Sequence, residues 1–205
     1  MRSVLRPLLF VLLPFALLAG CAYSLKLDRV DPLKAPPSQP LAILPIPDAQ
    51  GYPRSGDLLT RSVYEQLKAK GYRIVSPEEV ARGMEASNLT IQDLMADPRL
   101  LSRLPPALQA RSWLGGEIVS YQIRKSHVDS KTFQVWEGAI YDYRALPTYL
   151  PGTFQVGLRL RVITGGREIW QAEGSARGPD QAVEKVGRRL VAHLLEAFPP
   201  GAAWP

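Results

Sequence analysis

The rhythm of apolar and polar positions changes several times along the chain, and each change predicts an element. Leu8 to Leu18 is almost wholly apolar behind Arg2 and Arg6. Leu41-Ala42-Ile43-Leu44-Pro45-Ile46 is a short apolar run of the kind that buried strands carry. Leu59, Val63 and Leu67 then recur four apart, predicting a helix capped by Ser55 and ended by Gly71, and Tyr72-Arg73-Ile74-Val75 reads as the next strand. Ser76-Pro77-Glu78-Glu79 carries a capping serine, a proline at the first helical position and a glutamate at the third, which opens a helix burying Val80 and Met84. Short helical pieces follow over Thr90 to Ala96 and Pro106 to Ala110, and Trp113 to Ile123 is long enough for a central strand.

Arg124 to Gly152 has no clear period. Phe154, Val156, Leu158, Leu160 and Val162 then alternate with Gln155, Arg159 and Arg161, and Thr164-Gly165-Gly166 turns the chain back into Glu168 to Gly174. Val183, Val186, Leu190, Leu194 and Phe198 form the stripe of a last amphipathic helix, stopped by Pro199-Pro200. The order predicts an α/β domain over 41–198 with a mixed sheet, parallel in its first part and antiparallel in a C-terminal hairpin, packed with helices. No internal repeat is apparent, and 199–205 reads as a tail.

The first apolar run is shorter than the roughly 20 residues a membrane-spanning helix needs, and it contains Pro7 and Pro14. It reads as a processed targeting segment, 1–20. Residues 22–40 are rich in Pro, Ser, Lys and Asp, and 21–40 is expected to be an extended, flexible tether. In polyproline geometry of about 3.1 Å per residue, it would lift the domain some 50 Å.

Composition narrows the function. Removing the leader leaves 185 residues, enough for one domain, and apolar residues at 46% of the chain suffice for a packed core. Two of the 25 Lys and Arg lie in the leader, so the remainder carries 23 against 19 acids, with the cations scattered singly. No basic stripe argues for nucleic acid as a partner.

Leu18-Ala19-Gly20-Cys21 resembles the lipobox of bacterial lipoproteins, in which a diacylglycerol is attached to the cysteine thiol and the chain is cut just before it. The resemblance implies a mature protein beginning at lipidated Cys21, with a membrane as its first partner. The cysteine is the only one in the chain, so neither a disulfide nor a cysteine nucleophile remains. Ala22 in place of aspartate resembles the pattern that sorts lipoproteins to the outer membrane, facing the periplasm, with the inner membrane as the alternative.

Ala42-Ile43-Leu44-Pro45, Gly71-Tyr72-Arg73-Ile74-Val75, Ala110 to Ile118, and Leu160-Arg161-Val162 through Glu168-Ile169-Trp170 resemble a group of bacterial envelope proteins. The group includes the secretion lipoprotein CsgG, the peptidoglycan-synthase activator LpoB, the N-terminal domain of TolB and neisserial envelope lipoproteins. It implies an α/β sandwich that binds another envelope protein or oligomerises, with no catalytic residues to carry over. Ser112-Trp113, where relatives often show Ala-Asp, and the long 124–152 segment depart from the group's pattern.

Direct chemical candidates are few. His127 and His193 lack metal-ligand spacing, and His127 has no serine in a nucleophile-elbow context beside it. Glu117, Asp142 and Glu173 would need folding to gather them into the acid/base pair of a glycan-processing enzyme. Gly115-Gly116 and Gly165-Gly166 form no phosphate-binding pattern, no cofactor motif is present, and the expectation is a protein that is not an enzyme.

Binding has better material. Phe133, Trp136, Tyr141, Tyr143, Tyr149 and Phe154 bring six of the 17 aromatics into residues 131–154, and the first five are the candidate partner-binding residues. The segment is open to three readings: an interface, an extra hairpin packed on the sheet edge, or a membrane-inserting hairpin. The last needs strands of about 9 to 11 alternating residues, which Glu137, Asp142 and Arg144 are expected to interrupt. Lys185, Arg188 and Arg189 form a second candidate surface on the last helix.

Overall fold

The computed structural model describes residues 23–35, 37–108, 110–137 and 140–201, with the backbone alone at 107, 128–137 and 140–149. The leader and Cys21 lie outside these residues. Strand β1 (Ser24–Val30) is followed by β2 (Leu41–Ile43), α1 (Ser55–Ala69), β3 (Ile74–Val75), α2 (Pro77–Ala86) and α3 (Ile91–Ala96). Two 3₁₀ turns, Pro98–Arg103 and Pro106–Leu108, lead to β4 (Ser112–Arg124), β5 (His127–Glu137), β6 (Ile140–Leu150), β7 (Thr153–Thr164) and β8 (Arg167–Pro179). A turn at Asp180–Ala182 opens α4 (Val183–Leu194).

The main sheet has the order β1-β8-β7-β4-β2-β3. Strand β2 runs parallel to β3 and β4, while β4, β7, β8 and β1 pair antiparallel in turn. This is the expected mixed sheet. Leu41 and Ile43 belong to the core under α1 and α4, whereas Ala42 and Leu44 belong to a second core under α2, α3 and the 3₁₀ turns. A strand covered on both faces has no polar side to show, which explains its continuous apolar run.

Strand β7 is covered along the whole of one face. Phe154, Val156, Leu158, Leu160 and Val162 are fully buried against α1 and α4. On the other side Arg159 stands on an open surface, Arg161 is half-buried beside Met95 and Ile163 enters the second core. Val186, Leu190 and Leu194 of α4, continued by Phe198, close this core. Each such side chain stabilises the fold by about 1.5–3 kcal/mol. The β7–β8 turn uses Gly165 and Gly166 at φ 58° and 73°, positive angles that a tight hairpin turn demands of both central residues.

Three local expectations change. Ser55 does not cap α1: its hydroxyl accepts from the Ala49 N–H at 2.8 Å and donates to the Tyr52 carbonyl at 2.7 Å. The cap is the Asp48 carboxylate, which accepts from the N–H groups of Arg54 at 2.9 Å and Gly56 at 2.7 Å. The loop folds back, so the cap comes from outside the local pattern. The capping box at Ser76 and Glu79 is present, and Thr90 and Asp93 form another.

The tether expectation for 21–40 is corrected at Ser24–Val30, which pair with β8 as the sheet's edge strand. Their side chains are mostly exposed, so backbone hydrogen bonding to β8 orders them, with little apolar burial to reveal it in the sequence. Lys26–Asp28 and Arg29–Asp31 ion pairs decorate the edge, where charge discourages pairing with another chain. The following residues stay attached: Asp31 and Lys34 donate N–H bonds to the Gln171 and Ile169 carbonyls, and Ser38 donates to the Ser112 hydroxyl. The tail is also docked as far as Gly201, whose N–H donates to the Lys70 carbonyl at 2.8 Å. The folded body therefore runs from Tyr23 to Gly201, wider than 41–198.

Candidate functional site

Segment 124–152, irregular by sequence, is a two-stranded antiparallel ribbon. Strands β5 and β6 are 11 residues each and pair from His127↔Leu150 to Glu137↔Ile140. Among the described residues they pair only with each other. Paired residues share a face and neighbours along a strand alternate. The register therefore puts Val128, Ser130, Thr132, Gln134 and Trp136 on one face with Tyr141, Tyr143, Ala145, Pro147 and Tyr149. That face holds no charge.

All the ribbon's charged residues, Asp129, Lys131, Glu137, Asp142 and Arg144, fall on the opposite face, together with Phe133. The expectation that Glu137, Asp142 and Arg144 break the alternation is corrected, because the register between β5 and β6 collects all three on one side. The structure thus brings Trp136, Tyr141, Tyr143 and Tyr149 to one surface and separates Phe133 from them. Cys21, the lipidation candidate, lies outside the described residues.

Asp180 holds the ribbon's foot. Its carboxylate accepts from the Ser126 N–H at 3.3 Å on the incoming leg, and its own N–H donates to the Gly152 carbonyl at 3.4 Å on the outgoing leg. Beneath the foot, Tyr121 packs edge-on against Phe154 at 4.9 Å between ring centroids, and Tyr52 packs on Tyr121 at 4.8 Å. Burial, then the nearby Tyr52 and Asp48, push the Tyr121 phenol upward in pKa.

Strand β1 begins at the same end of the sheet. Arg124 pairs with Thr153, Thr153 with Pro179 and Ser24 with Arg177, so the ribbon foot and the start of β1 are close neighbours. The Tyr23 ring packs against the α4 core, with the Lys185 ammonium 5.5 Å and the Arg189 guanidinium 4.2 Å from its centroid. Neither Tyr23 nor Asp180 had a sequence signal beyond its position.

The other candidates sit apart. Glu117 and Glu173 both bind Arg159 on the open face, at 3.2 and 2.7 Å, as rungs of a cross-strand charge ladder. The Glu173 hydrogen bond raises the Arg159 pKa against a desolvation effect that lowers it, and so favours the charged guanidinium. Asp142 lies on β6, in the separate ribbon. His127 opens β5, and His193 Nδ1 lies 3.0 Å from the Glu196 carboxylate.

A cleft of about 480 Å³ between α1 and α4 is lined by Arg61, Glu65, Glu184 and Arg188, which pair within their own helices at 3.2 and 2.7 Å. Among the described residues no group of three His, Cys, Asp or Glu could hold a metal ion, and no helix is long and apolar enough to cross a membrane.

No protein-family model matches the chain, and no curated protein matches it. Among solved structures, lipoprotein GNA1162 from Neisseria meningitidis superposes with a TM-score of 0.50 at 14% identity, over 76% of this chain and 97% of that one. This chain shares that lipoprotein's fold. The PelC dodecamer from Paraburkholderia phytofirmans superposes with a TM-score of 0.49 at 17% identity, covering 85% of this chain and 96% of that one.

Proposed function

We propose that the chain is a lipid-anchored periplasmic binding module of the outer membrane, acting as an accessory or assembly factor of a cell-envelope machine for secretion, transport or peptidoglycan synthesis. Three features support the reading: Cys21 behind Leu18-Ala19-Gly20, the fold shared with a neisserial lipoprotein, and the grouping with CsgG, LpoB and the TolB N-terminal domain suggested by the short phrases quoted above. The observation that carries it is the uncharged ribbon face bearing Trp136, Tyr141, Tyr143 and Tyr149. Large rigid rings on a face free of charge bury area at low entropic cost. We assign the module no catalytic step; Glu117 and Glu173, two of the three carboxylates considered for one, both bind Arg159.

A photo-crosslinking residue at Gln134, on the uncharged face, tests the reading in intact envelopes against the same residue at Lys131, on the charged face. Crosslinks to one envelope protein from position 134 alone are expected. Equal yields from both positions would remove the ribbon face from the proposal.

A second reading has its own observation. Two 11-residue strands with every charge on one face meet the length and alternation of a membrane-inserting hairpin, so the chain would be an oligomeric secretion-pore subunit. Sizing of the detergent-solubilised lipoprotein separates the two. A stable ring of many subunits favours the pore; a monomer favours the accessory factor.

A further inference from the structure

We propose that the end of the domain around Tyr23 is a seat for anionic phospholipid headgroups, so that the anchored protein lies against the bilayer. The inference rests on the acylation of Cys21 proposed above.

Chain length sets the geometry. Consecutive Cα atoms are 3.80 Å apart, so Cys21 lies within about 7.6 Å of the Tyr23 Cα in any conformation. Tyr23 is already part of the body, its ring held by Lys185 and Arg189 and packed over Gly178 and Val186. Acyl chains on Cys21 therefore draw this end of the domain to the membrane surface. The expected tether of about 50 Å would have removed the constraint. With β1 paired to β8 directly after Tyr23, almost no slack remains.

The charge of this end suits a phosphate surface. Arg124, Lys125, Arg177, Lys185 and Arg189 gather there against Asp180, while Arg188 is paired to Glu184 at 2.7 Å and shares the neighbouring cleft with Asp57. Arg124, Lys125, Arg177, Lys185, Arg188 and Arg189 are all exposed. Lys185 and Arg189 spend their charge on an aromatic ring, which leaves their outward sides available to headgroup oxygens. Attraction of this kind falls off within a Debye length of about 8 Å at physiological salt. The short reach from Cys21 to Tyr23 brings Lys185 and Arg189, the cations on that ring, toward the surface in a way a long tether would not. A basic patch beside a lipid anchor supplies the second signal that stabilises membrane attachment.

Helices α1 and α4 run side by side, with Leu58 beside Gly187 at one end and Tyr72 against Phe198 at the other. Lys68, at the C-terminal end of α1, is therefore far from the seat. It stands over the Tyr64 ring at 5.7 Å and is a matched reference for Lys185.

The test uses the acylated, processed protein beginning at Cys21, reconstituted on vesicles of phosphatidylcholine alone or mixed with phosphatidylglycerol. Flotation reports the anchor. Acetylation by a water-soluble reagent, followed by mass spectrometry, reports each lysine. The expected result is flotation with both vesicles and several-fold slower modification of Lys185 on the phosphatidylglycerol mixture only, relieved by high salt, with Lys68 unchanged. Flotation with equal Lys185 rates on both vesicles overturns the seat and leaves the anchor standing. Failure to float overturns the anchor and the seat with it.

The double variant Lys125→Glu/Arg177→Glu spares the two cations that hold Tyr23 and the Arg188–Glu184 pair. It should melt as the parent does and restore the Lys185 rate on the mixed vesicles. Continued protection of Lys185 in the folded variant means that something other than headgroup charge covers it, and overturns the proposal.

Discussion

The carboxylate of Asp180 occupies the space where a side chain on Gly152 would begin. One acid after β8 thereby clasps both legs of a ribbon inserted between β4 and β7, tying the ribbon to the end of the sheet where β1 begins. Gly152→Ala must push the carboxylate aside. The substitution should lower stability by about 1–3 kcal/mol in urea unfolding and expose the Ser126 amide to hydrogen exchange. Unchanged exchange at Ser126 would show that the clasp does not order the foot.

Tyr72 seals the opposite end. Its hydroxyl donates to the Pro199 carbonyl at 2.9 Å, its ring meets Phe198 at 5.4 Å, and burial raises its pKa to about 12. The fold binds the phenol proton more tightly than the unfolded chain does. Its contribution is therefore complete below the unfolded value near 10 and lost as pH climbs through about 12. Ultraviolet titration should show one tyrosine ionising last, and Tyr72→Phe should remove that step while costing roughly 1 kcal/mol at neutral pH. A titration curve identical to the parent's would contradict the assignment.

Asp93 gives the opposite sign. Hydrogen bonds from the Thr90 hydroxyl and then the Thr90 backbone hold its carboxyl below the usual range. The stabilisation is present above the unfolded carboxylate value of about 3.9 and is lost as pH falls through the lower folded value. Thr90→Val should move the Asp93 titration, followed by NMR, back up toward the ordinary value. A midpoint that stays put would deny the capping box its electrostatic role.

On the ribbon, Trp136→Ala combined with Tyr143→Ala removes two rings from the uncharged face. Capture of the crosslinked partner should fall several-fold while thermal unfolding remains cooperative. A loss of cooperative melting would make the rings part of the core. Phe133→Ala, on the charged face, should leave capture unaffected.

Much of the molecule could be read along the chain because its signals are local. A continuous apolar run marked β2, a four-residue spacing marked α1 and α4, and strict alternation marked β7. Ser76 and Glu79 announced their helix from three residues apart. Paired glycines announced the β7–β8 turn. In each case the deciding interaction lies within one element or one turn.

Where partners are distant in sequence, only tertiary structure decided. Strand β1 leaves its Leu25 and Leu27 exposed and exists because β8, from Ala172 to Arg177, offers it an open ladder far along the chain, which turned an expected tether into an edge strand. Asp48 displaced Ser55 as the cap because a loop folds back on the helix. The ribbon's two faces emerged only from register, since a charge at Asp142 and one at Glu137 share a side by pairing and pleat, a relation no single-strand period reveals. Local propensity depends on neighbours along the backbone, whereas edges, registers and clasps depend on which distant segments meet.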